Sequence, residues 1–274
     1  MEVTLKEATQ NKAMLDVLFK IEDVSYSYVP NHPVLTGINL DFRRGEGLVI
    51  LGANGSGKST LLKMLCGLIY PDAGHIYAFG QALSEQALQD AAFLRNFRQR
   101  VGFVFQNSDA QLFSATVWDE LAFAPLQAGL TPEEVRERVE DTSELIGIRH
   151  LLDRAPYKLS GGEKKKVALA CVLTVNPEVL FLDEPTNGLD PRTQYWLVEF
   201  LQDLQQAGKT VIMATHDLSI VEDLADRVLV FREDHTIAAD GVPLQVLTNR
   251  ALLVDVNLIH QRSHFHVGGS RQHG

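Results

Sequence analysis

Short segments that are apolar at every position alternate along this chain with segments whose apolar residues recur every three or four positions. The uniformly apolar segments are residues 48–51, 179–182 and 211–214. A strand that is apolar throughout is typical of a parallel sheet that helices cover on both faces. Because such strands alternate with helical patterns, the sequence predicts an α/β fold.

Two other stretches have different patterns. Residues 34–40 alternate between apolar and polar side chains, which suits an antiparallel sheet with one solvated face, and residues 17–21 also resemble a strand. Between Gln106 and Leu159 the pattern becomes helical. Residues 131–134 (Thr-Pro-Glu-Glu) predict a helix start there, because threonine caps, proline suits the first turn and glutamate can return to the cap amide.

These patterns divide the chain into regions of different character. We expect an N-terminal extension at residues 1–17 and an α/β body at residues 18–240, with a helical subdomain inserted at about residues 107–175. Residues 241–274 are expected to form a short helical tail whose polar end is disordered.

Composition narrows the class of partner. The chain has 274 residues, with 25 basic and 35 acidic side chains and a net charge of −10. This balance argues against nucleic acid or an anionic lipid surface as a partner held by bulk positive charge. No apolar run approaches the roughly 18 residues of a membrane-spanning helix, and the polar N-terminus does not resemble a signal peptide. We therefore expect a cytosolic chain without a lipid anchor, in which Cys66 and Cys171 are buried thiols.

A glycine-rich segment, which we call the phosphate loop, follows the apolar segment at residues 48–51 and precedes a helical pattern that runs to Ile69. Glycines allow backbone amides to surround phosphate oxygens, and a helix N-terminus adds a favourable dipole. We expect Lys58 to reach the β- and γ-phosphates of ATP and Ser59 to bind Mg²⁺. The predicted ATP-binding residues here are Gly52, Ala53, Asn54, Gly55, Ser56, Gly57, Lys58, Ser59 and Thr60.

Two adjacent acids end the apolar segment at residues 179–182. A carboxylate at Asp183 would lie beside the phosphate loop and hold Mg²⁺, directly or through water. The next side chain, Glu184, should point elsewhere, and we expect it to polarise the attacking water as a general base. The simpler alternative is a pair of solvated acids at a strand end.

Gln106 and His216 each follow a predicted strand. A glutamine here would orient water and sense the γ-phosphate or the Mg²⁺ ion, and a histidine would donate a hydrogen bond to a γ-phosphate oxygen. Either residue alone would be an ordinary polar group at a strand end, and only their order among the other motifs indicates a function.

A second candidate anion site comprises Ser160, Gly161 and Gly162, which we call the signature residues, at the start of a helical pattern. A hydroxyl and exposed amides at a helix start favour anions, although two glycines in a loop more often indicate only a turn. Tyr28 is either an aromatic residue of a strand core or a platform on which adenine stacks.

With all these motifs in order, the chain resembles the ATP-binding-cassette (ABC) ATPases over roughly residues 18 to 240. The resemblance implies ATP, Mg²⁺ and a head-to-tail dimer with itself or a sister ATPase, in which the signature residues cap the nucleotide of the other subunit. It implies further that residues 187–190 (Asn-Gly-Leu-Asp) are the D-loop, whose Asp190 lies at the dimer seam, and that Tyr28 stacks on adenine. Glu163 and Lys166 stand where many members have glutamine and arginine.

A narrower resemblance, to the ATPase subunits of energy-coupling-factor importers, rests on residues 104–113 (Val-Phe-Gln-Asn-Ser-Asp-Ala-Gln-Leu-Phe), 116–117, 120–126 and 159–166. It implies a place on the cytoplasmic face of the cell membrane, bound to integral membrane subunits whose helices dock beside Gln106. Such importers take up cobalt or nickel ions, or vitamins. Histidines in the tail favour the metals, because imidazole is a common ligand of these ions; a solvated tail is the alternative. These histidines are His260, His264, His266 and His273.

Other functions stay open at this stage. A cassette that handles lipoproteins or siderophores would carry the same motifs. Non-transport relatives in DNA repair and translation usually have two cassettes, a long coiled coil or a zinc module, whereas this chain has one cassette and two cysteines.

Overall fold

The computed structural model describes residues 17–260, and these form two β-sheets packed with α-helices. Residues 1–16 of the predicted N-terminal extension lie outside the described residues, and Val17, its predicted last residue, begins the first strand. The predicted disordered end of the tail, with His264, His266 and His273, also lies outside the described residues. The strands are β1 Val17–Tyr26, β2 Leu35–Arg43, β3 Gly47–Leu51, β4 Ala73–Ala78, β5 Gln81–Ala82, β6 Val101–Val104, β7 Val179–Asp183, β8 Thr210–Thr215, β9 Arg227–Phe231 and β10 Ile237–Gly241. The helices are α1 Lys58–Leu65, α2 Ala91–Arg100, α3 Val117–Gln127, α4 Pro132–Ile146, α5 Gly161–Leu173, α6 Pro191–Gln206, α7 Val221–Leu224, α8 Pro243–Thr248 and α9 Arg250–Asp255.

The larger sheet has six strands in the order β10-β9-β3-β8-β7-β6. Its strands β9, β3, β8, β7 and β6 pair in parallel, and β10 is an antiparallel edge. The smaller sheet is antiparallel, in the order β2-β1-β4-β5. This α/β architecture confirms the predicted fold class.

The parallel strands are apolar throughout because each face of their sheet has its own hydrophobic core. Leu180 and Leu182 of β7 belong to one core, with side chains of α3, α4, α5 and α6. The alternate residues Val179 and Phe181 belong to the other core, with α1 and the antiparallel sheet. Successive side chains of a strand point to opposite faces, so both cores require apolar residues.

Parallel pairing gathers the carboxyl ends of β3, β8, β7 and β6 at one edge of the larger sheet. The phosphate loop leaves β3, Gln106 follows β6, Asp183 ends β7 and His216 follows β8. Segments that are far apart in sequence therefore meet at this edge, which is where open α/β sheets bind their ligands.

Two helices begin with a capping box. Thr131 caps α4 and Ser160 caps α5, and in each case a glutamate three residues later returns to the cap amide. The spacing of residues 131–134 predicted the first of these capping boxes. Helix α1 ends at Leu65, four residues before the apolar pattern does, since Gly67 takes a left-handed φ of 67° that leaves the helix.

Within residues 17–260, no helix is both long and apolar enough to cross a membrane. Cys66 and Cys171 are free thiols, and burial raises the pKa of each. The same residues contain no group of three or more His, Cys, Asp or Glu side chains that would hold a metal ion.

Candidate functional site

The phosphate loop turns from β3 into α1 through a backbone that requires glycine. Gly57 has a φ of 107°, and a Cβ there would lie 2.4 Å from the carbonyl oxygen of Val34. At Gly52 a Cβ would lie 2.6 Å from Ser56 Oγ. Ser56 Oγ is buried without a hydrogen-bond partner among the described residues. The loop is therefore tightly curled around a polar interior, which fits a phosphate group.

Lys58 is the buried cation of this loop. Its Nζ donates to the carbonyl oxygens of Gly52 at 2.7 Å and Ala53 at 3.0 Å, and it lies 3.8 Å from Glu184 Oε1. Burial lowers the pKa of Lys58, while the neighbouring carboxylates of Glu184 and Asp183 raise it. An ammonium held at low exposure attracts an anion more strongly than one in water.

Asp183 and Ser59 place two side-chain oxygen atoms next to each other beside the phosphate loop. Ser59 Oγ donates to Asp183 Oδ1 at 2.8 Å. Burial raises the pKa of Asp183, and the Ser59 hydroxyl opposes this shift. A desolvated carboxylate beside a hydroxyl is the hard oxygen set that Mg²⁺ prefers, so these residues fit the ion.

The Glu184 carboxylate points away from Asp183. Thr215 Oγ1 donates to its Oε2 at 3.2 Å, and His216 Nδ1 lies 3.0 Å from each of its oxygens. Glu184 has a left-handed φ of 42°, which is uncommon outside glycine and indicates that its surroundings impose this conformation. The side chain of Glu184 is 6% exposed and that of His216 is 48% exposed. The geometry suits a carboxylate that receives a proton at the rim of the loop.

A cavity of about 560 Å³ opens beside Glu184 and His216. Asn187 and Gly188 of the expected D-loop line it, together with Leu258 near the end of the described chain. Asp190 itself caps α6 by accepting hydrogen bonds from the backbone of Arg192 and Thr193 and from the Thr193 hydroxyl.

Tyr28 lies just beyond β1 and is 53% exposed, so it is not a strand residue in the core. Its hydroxyl lies 3.4 Å from Thr60 Oγ1 in α1, and its ring meets Tyr26 edge-on. An exposed aromatic ring next to the phosphate loop has the position that adenine stacking requires.

The signature residues stand apart from this cluster. Ser160 is exposed, and its Oγ donates to Glu163 Oε2 at 2.9 Å and accepts from Glu163 N at 3.3 Å. A Cβ at Gly162 would lie 3.0 Å from Thr193 Oγ1, so a larger residue there would require Thr193 to shift by a few tenths of an ångström. Among the described residues, no hydrogen bond joins the signature residues to the phosphate loop.

The structure thus brings predicted site residues from distant segments into direct contact, in the pairs Lys58–Glu184, Glu184–His216, Ser59–Asp183 and Tyr28–Thr60. Gln106 is exposed after β6, the strand that pairs with β7 next to Asp183. Three further residues support the site and were missed by the sequence reasoning: Thr215, which donates to Glu184; Thr193, which packs on Gly162; and Lys165, which bonds to the backbone of Gln106. No spacing or residue type pointed to them, because each acts through a contact between distant segments.

The sequence and the fold of this chain are similar to those of known proteins. Residues 35–187 match the family model described as ABC transporter. The nickel import ATP-binding protein NikO of Rhodobacter capsulatus is 46% identical to this chain over 244 residues, which cover 88% of this chain and 95% of NikO.

Two solved structures have the same fold. CbiO1 from Clostridium perfringens, described as part of the ABC transporter complex CbiONQ, has a TM-score of 0.76 and 38% identity over 89% of this chain and 95% of CbiO1. The ATP-binding cassette MJ0796, a dimer in a post-hydrolysis state bound to ADP and Pi, has a TM-score of 0.74 and 26% identity over 82% of this chain and 99% of the cassette.

Proposed function

Because this chain belongs to the ABC transporter family of ATP-binding proteins, we propose that it is the ATP-hydrolysing subunit of an energy-coupling-factor type importer for nickel or cobalt ions. The observation that carries the proposal is the cluster of buried Lys58, Asp183 and Glu184 with Ser59 at the edge of the parallel sheet, where His216 lies beside Glu184.

In this proposal, the side chains of Glu184 and His216 face the γ-phosphate during ATP hydrolysis. Glu184 accepts a proton from the attacking water, and Thr215 holds the carboxylate in place through its 3.2 Å hydrogen bond. His216 Nδ1 faces Glu184, so we assign the γ-phosphate contact to its other ring nitrogen. Lys58 and the amides of the phosphate loop stabilise the charge that develops on the phosphate oxygens.

Ser59 and Asp183 would hold Mg²⁺, with Gln106 as a further ligand from the neighbouring strand end. The ion supplies charge neutralisation at the β- and γ-phosphates. Gln106 then orients the attacking water relative to Glu184.

We further propose that two cassettes pair head to tail, with a second copy or a sister ATPase as the partner. Ser160 and Gly161 are exposed and Gly162 is half-buried at the start of α5, where the hydroxyl and the backbone amides suit the phosphates of another subunit. MJ0796, a 26% identical cassette, is a dimer. The D-loop at residues 187–190 would lie at the seam.

The import class rests on the relatives and on one surface. NikO is a nickel import protein, and its 46% identity spans 88% of this chain.

Helices α3, α4 and α5 lie between β6 and β7 in the chain, and we propose that they form the inserted helical subdomain.

The surface that we assign to the membrane subunits lies beside the segment that contains Gln106, which we call the glutamine loop (residues 105–111). Phe113 and Phe123 are 68% and 46% exposed, and their rings meet perpendicularly at 5.1 Å. The backbone amide of Phe113 donates to the buried carboxylate of Glu120, which holds the backbone that carries the Phe113 ring. A groove between α2 and α3 continues from Phe123 past Arg95 and Arg98. Exposed aromatic pairs next to a groove are typical of sites where a partner helix docks.

The test is to capture the chain from detergent-solubilised native membranes and to identify its partners by mass spectrometry. Recovery of a small integral membrane protein with a solute-binding membrane subunit supports the proposal. Two large permease subunits would indicate another importer class, and ribosomes or DNA without a membrane protein would contradict transport.

A matched pair of variants sharpens this test. Phe123→Asp is expected to abolish capture of the membrane subunits while ATP hydrolysis by the isolated protein is retained. Tyr157→Asp changes an aromatic residue that is 77% exposed elsewhere, and it should leave capture unchanged.

A further inference from the structure

The glutamine loop (residues 105–111) is tied to the helix that carries the signature residues. Lys165, in the second turn of α5, donates from its Nζ to the carbonyl oxygens of Phe105 at 3.3 Å and Gln106 at 3.2 Å. Lys165 is only 3% exposed. A buried charge thus connects a strand end of the sheet with the helical segment between β6 and β7.

Gln111 makes a second connection between the same two elements. Its Oε1 accepts from the backbone amide of Phe105 at 3.2 Å, and its Nε2 donates to the carbonyl oxygen of Ala168 in α5 at 3.0 Å. One side-chain amide therefore bridges the start of the glutamine loop to the helix that Lys165 belongs to.

Packing alone does not require a lysine at position 165. Its ammonium loses its hydration, and its hydrogen-bond acceptors among the described residues are two neutral carbonyl oxygens. Burial lowers the pKa of Lys165, and the carboxylate of Asp183 raises it. A methionine of similar length would fill the same volume without desolvating a charge.

Lys165 also lies between the two candidate nucleotide sites. Gln106, whose carbonyl oxygen it binds, follows the strand next to Asp183. Ser160 caps the helix five residues earlier, which is about 7.5 Å along the helix axis. One side of Lys165 thus faces the glutamine loop, which senses the subunit's own ATP, and the helix it stands on presents Ser160 to the other subunit.

We propose that Lys165 is a positioning residue that makes the glutamine loop and the signature end of α5 move as one body, so that ATP bound in one site places Ser160 for the other. The inference rests on the proposed function. Gln111 assists by holding the amide of Phe105. The coupling acts through the backbone carbonyl of Gln106, so it does not require the Gln106 side chain.

The test compares Lys165→Met with Lys166→Met. In Lys165→Met we expect kcat for ATP hydrolysis to fall about tenfold, with the ADP dissociation constant within about twofold and KM for ATP within about threefold of wild type. Lys166 stands on the same helix, but its Nζ lies 4.1 Å from the centre of the Trp196 ring in α6, so its replacement should change kcat by less than about twofold. A purely structural role for Lys165 would lower ADP binding and kcat together.

Gln111→Leu provides the second arm should Lys165→Met fail to fold, and its kcat is expected to fall about three- to tenfold. Dimerisation is measured in the Glu184→Gln background by sedimentation with ATP, where adding Lys165→Met should weaken the dimer about tenfold. If kcat stays at the wild-type value in both Lys165→Met and Gln111→Leu, and Glu184→Gln still forms dimers with ATP, this inference alone is overturned. If Glu184→Gln itself forms no dimer with ATP, the proposed function and this inference both fail.

Discussion

The two candidate anion sites of this chain are built in opposite ways. The phosphate-loop site lies where β3, β7 and β8 end, and the side chains of Lys58 and Glu184 there are 5% and 6% exposed. The signature site is a single helix start, at which the exposed Ser160 is held by Glu163 three residues along the same helix. The first site depends on contacts between distant segments, whereas the second depends on local backbone geometry.

This difference indicates different functions for the phosphate-loop site and the signature site. A buried site with a cation, a hydroxyl and two carboxylates has the groups needed to bind ATP and activate water. An exposed helix start has only a hydroxyl and amides, which suffice to complete a site supplied by another molecule. Changes in the first region should therefore abolish chemistry or binding within one subunit, whereas changes in the second should lower ATP hydrolysis only through what two subunits do together.

The largest effect is expected from Glu184→Gln, which removes the proposed base and keeps the shape of the side chain. We expect kcat to fall by about 100- to 1,000-fold while ATP is still bound, so that an ATP-bound dimer accumulates. Phosphate release and size-exclusion chromatography measure both quantities. Glu199→Gln, at an exposed glutamate of α6, is the control and should hydrolyse ATP normally. Hydrolysis by Glu184→Gln at the wild-type rate would remove Glu184 from this role.

Lys58→Ala should have the next largest effect, on affinity. Loss of a buried charged donor to the phosphates is expected to weaken ATP binding by about 10- to 100-fold. Calorimetry measures the dissociation constant directly, and Lys158→Ala, at an exposed lysine, serves as the control. Unchanged binding in Lys58→Ala would refute the assignment of the phosphate loop.

Ser160→Ala tests the second region against a matched helix start. Ser160 and Thr131 cap α5 and α4 with the same capping box, so replacing either by alanine should cost about 1 kcal/mol of unfolding free energy. Only Ser160→Ala should lower kcat, by about tenfold, with ADP binding by the monomer unchanged. Urea unfolding and steady-state hydrolysis separate the two quantities. Equal kcat in Ser160→Ala and Thr131→Ala would show that Ser160 acts only as a cap.

The smallest effect concerns the acid that holds the signature helix start. Hydrogen bonds from Ser160 to its carboxylate lower the pKa of Glu163 below its ordinary value of 4.5. A lowered pKa stabilises the folded state above pH 4.5, and this contribution is lost as the pH falls through the folded value. The Tm of wild type should therefore exceed that of Glu163→Gln by a small margin at pH 7, and the margin should close below pH 4.5. A margin that is independent of pH would contradict the assignment.

Much of the fold followed from patterns that have a local cause. The strands β3, β7 and β8 were predictable because a sheet with a core on each face requires apolar residues at every position. The capping box of α4 was predictable because its partners are three residues apart. The length of α1 was not, since its apolar pattern continues to Ile69 while Gly67 ends the helix.

The same distinction applies to the site. The proposed chemistry rests on the order of the motifs along the chain, because each residue type at a strand end or helix start has few uses with phosphates. Thr215, Thr193 and Lys165 could not be found in that way, as each meets its partner only after the sheet and helices have packed. The exposed position of Tyr28, which sequence reasoning left open, was likewise decided by packing.

The residue order alone therefore specified an α/β nucleotide-binding chain, its phosphate loop and its pair of acidic residues, since these depend on spacing within short segments. Only the packed structure decided that Glu184 meets Thr215 and His216, and that Lys165 binds the glutamine loop. The physical reason is that hydrogen bonds and burial depend on distances in space, and parallel strands bring together residues that lie tens to more than a hundred positions apart.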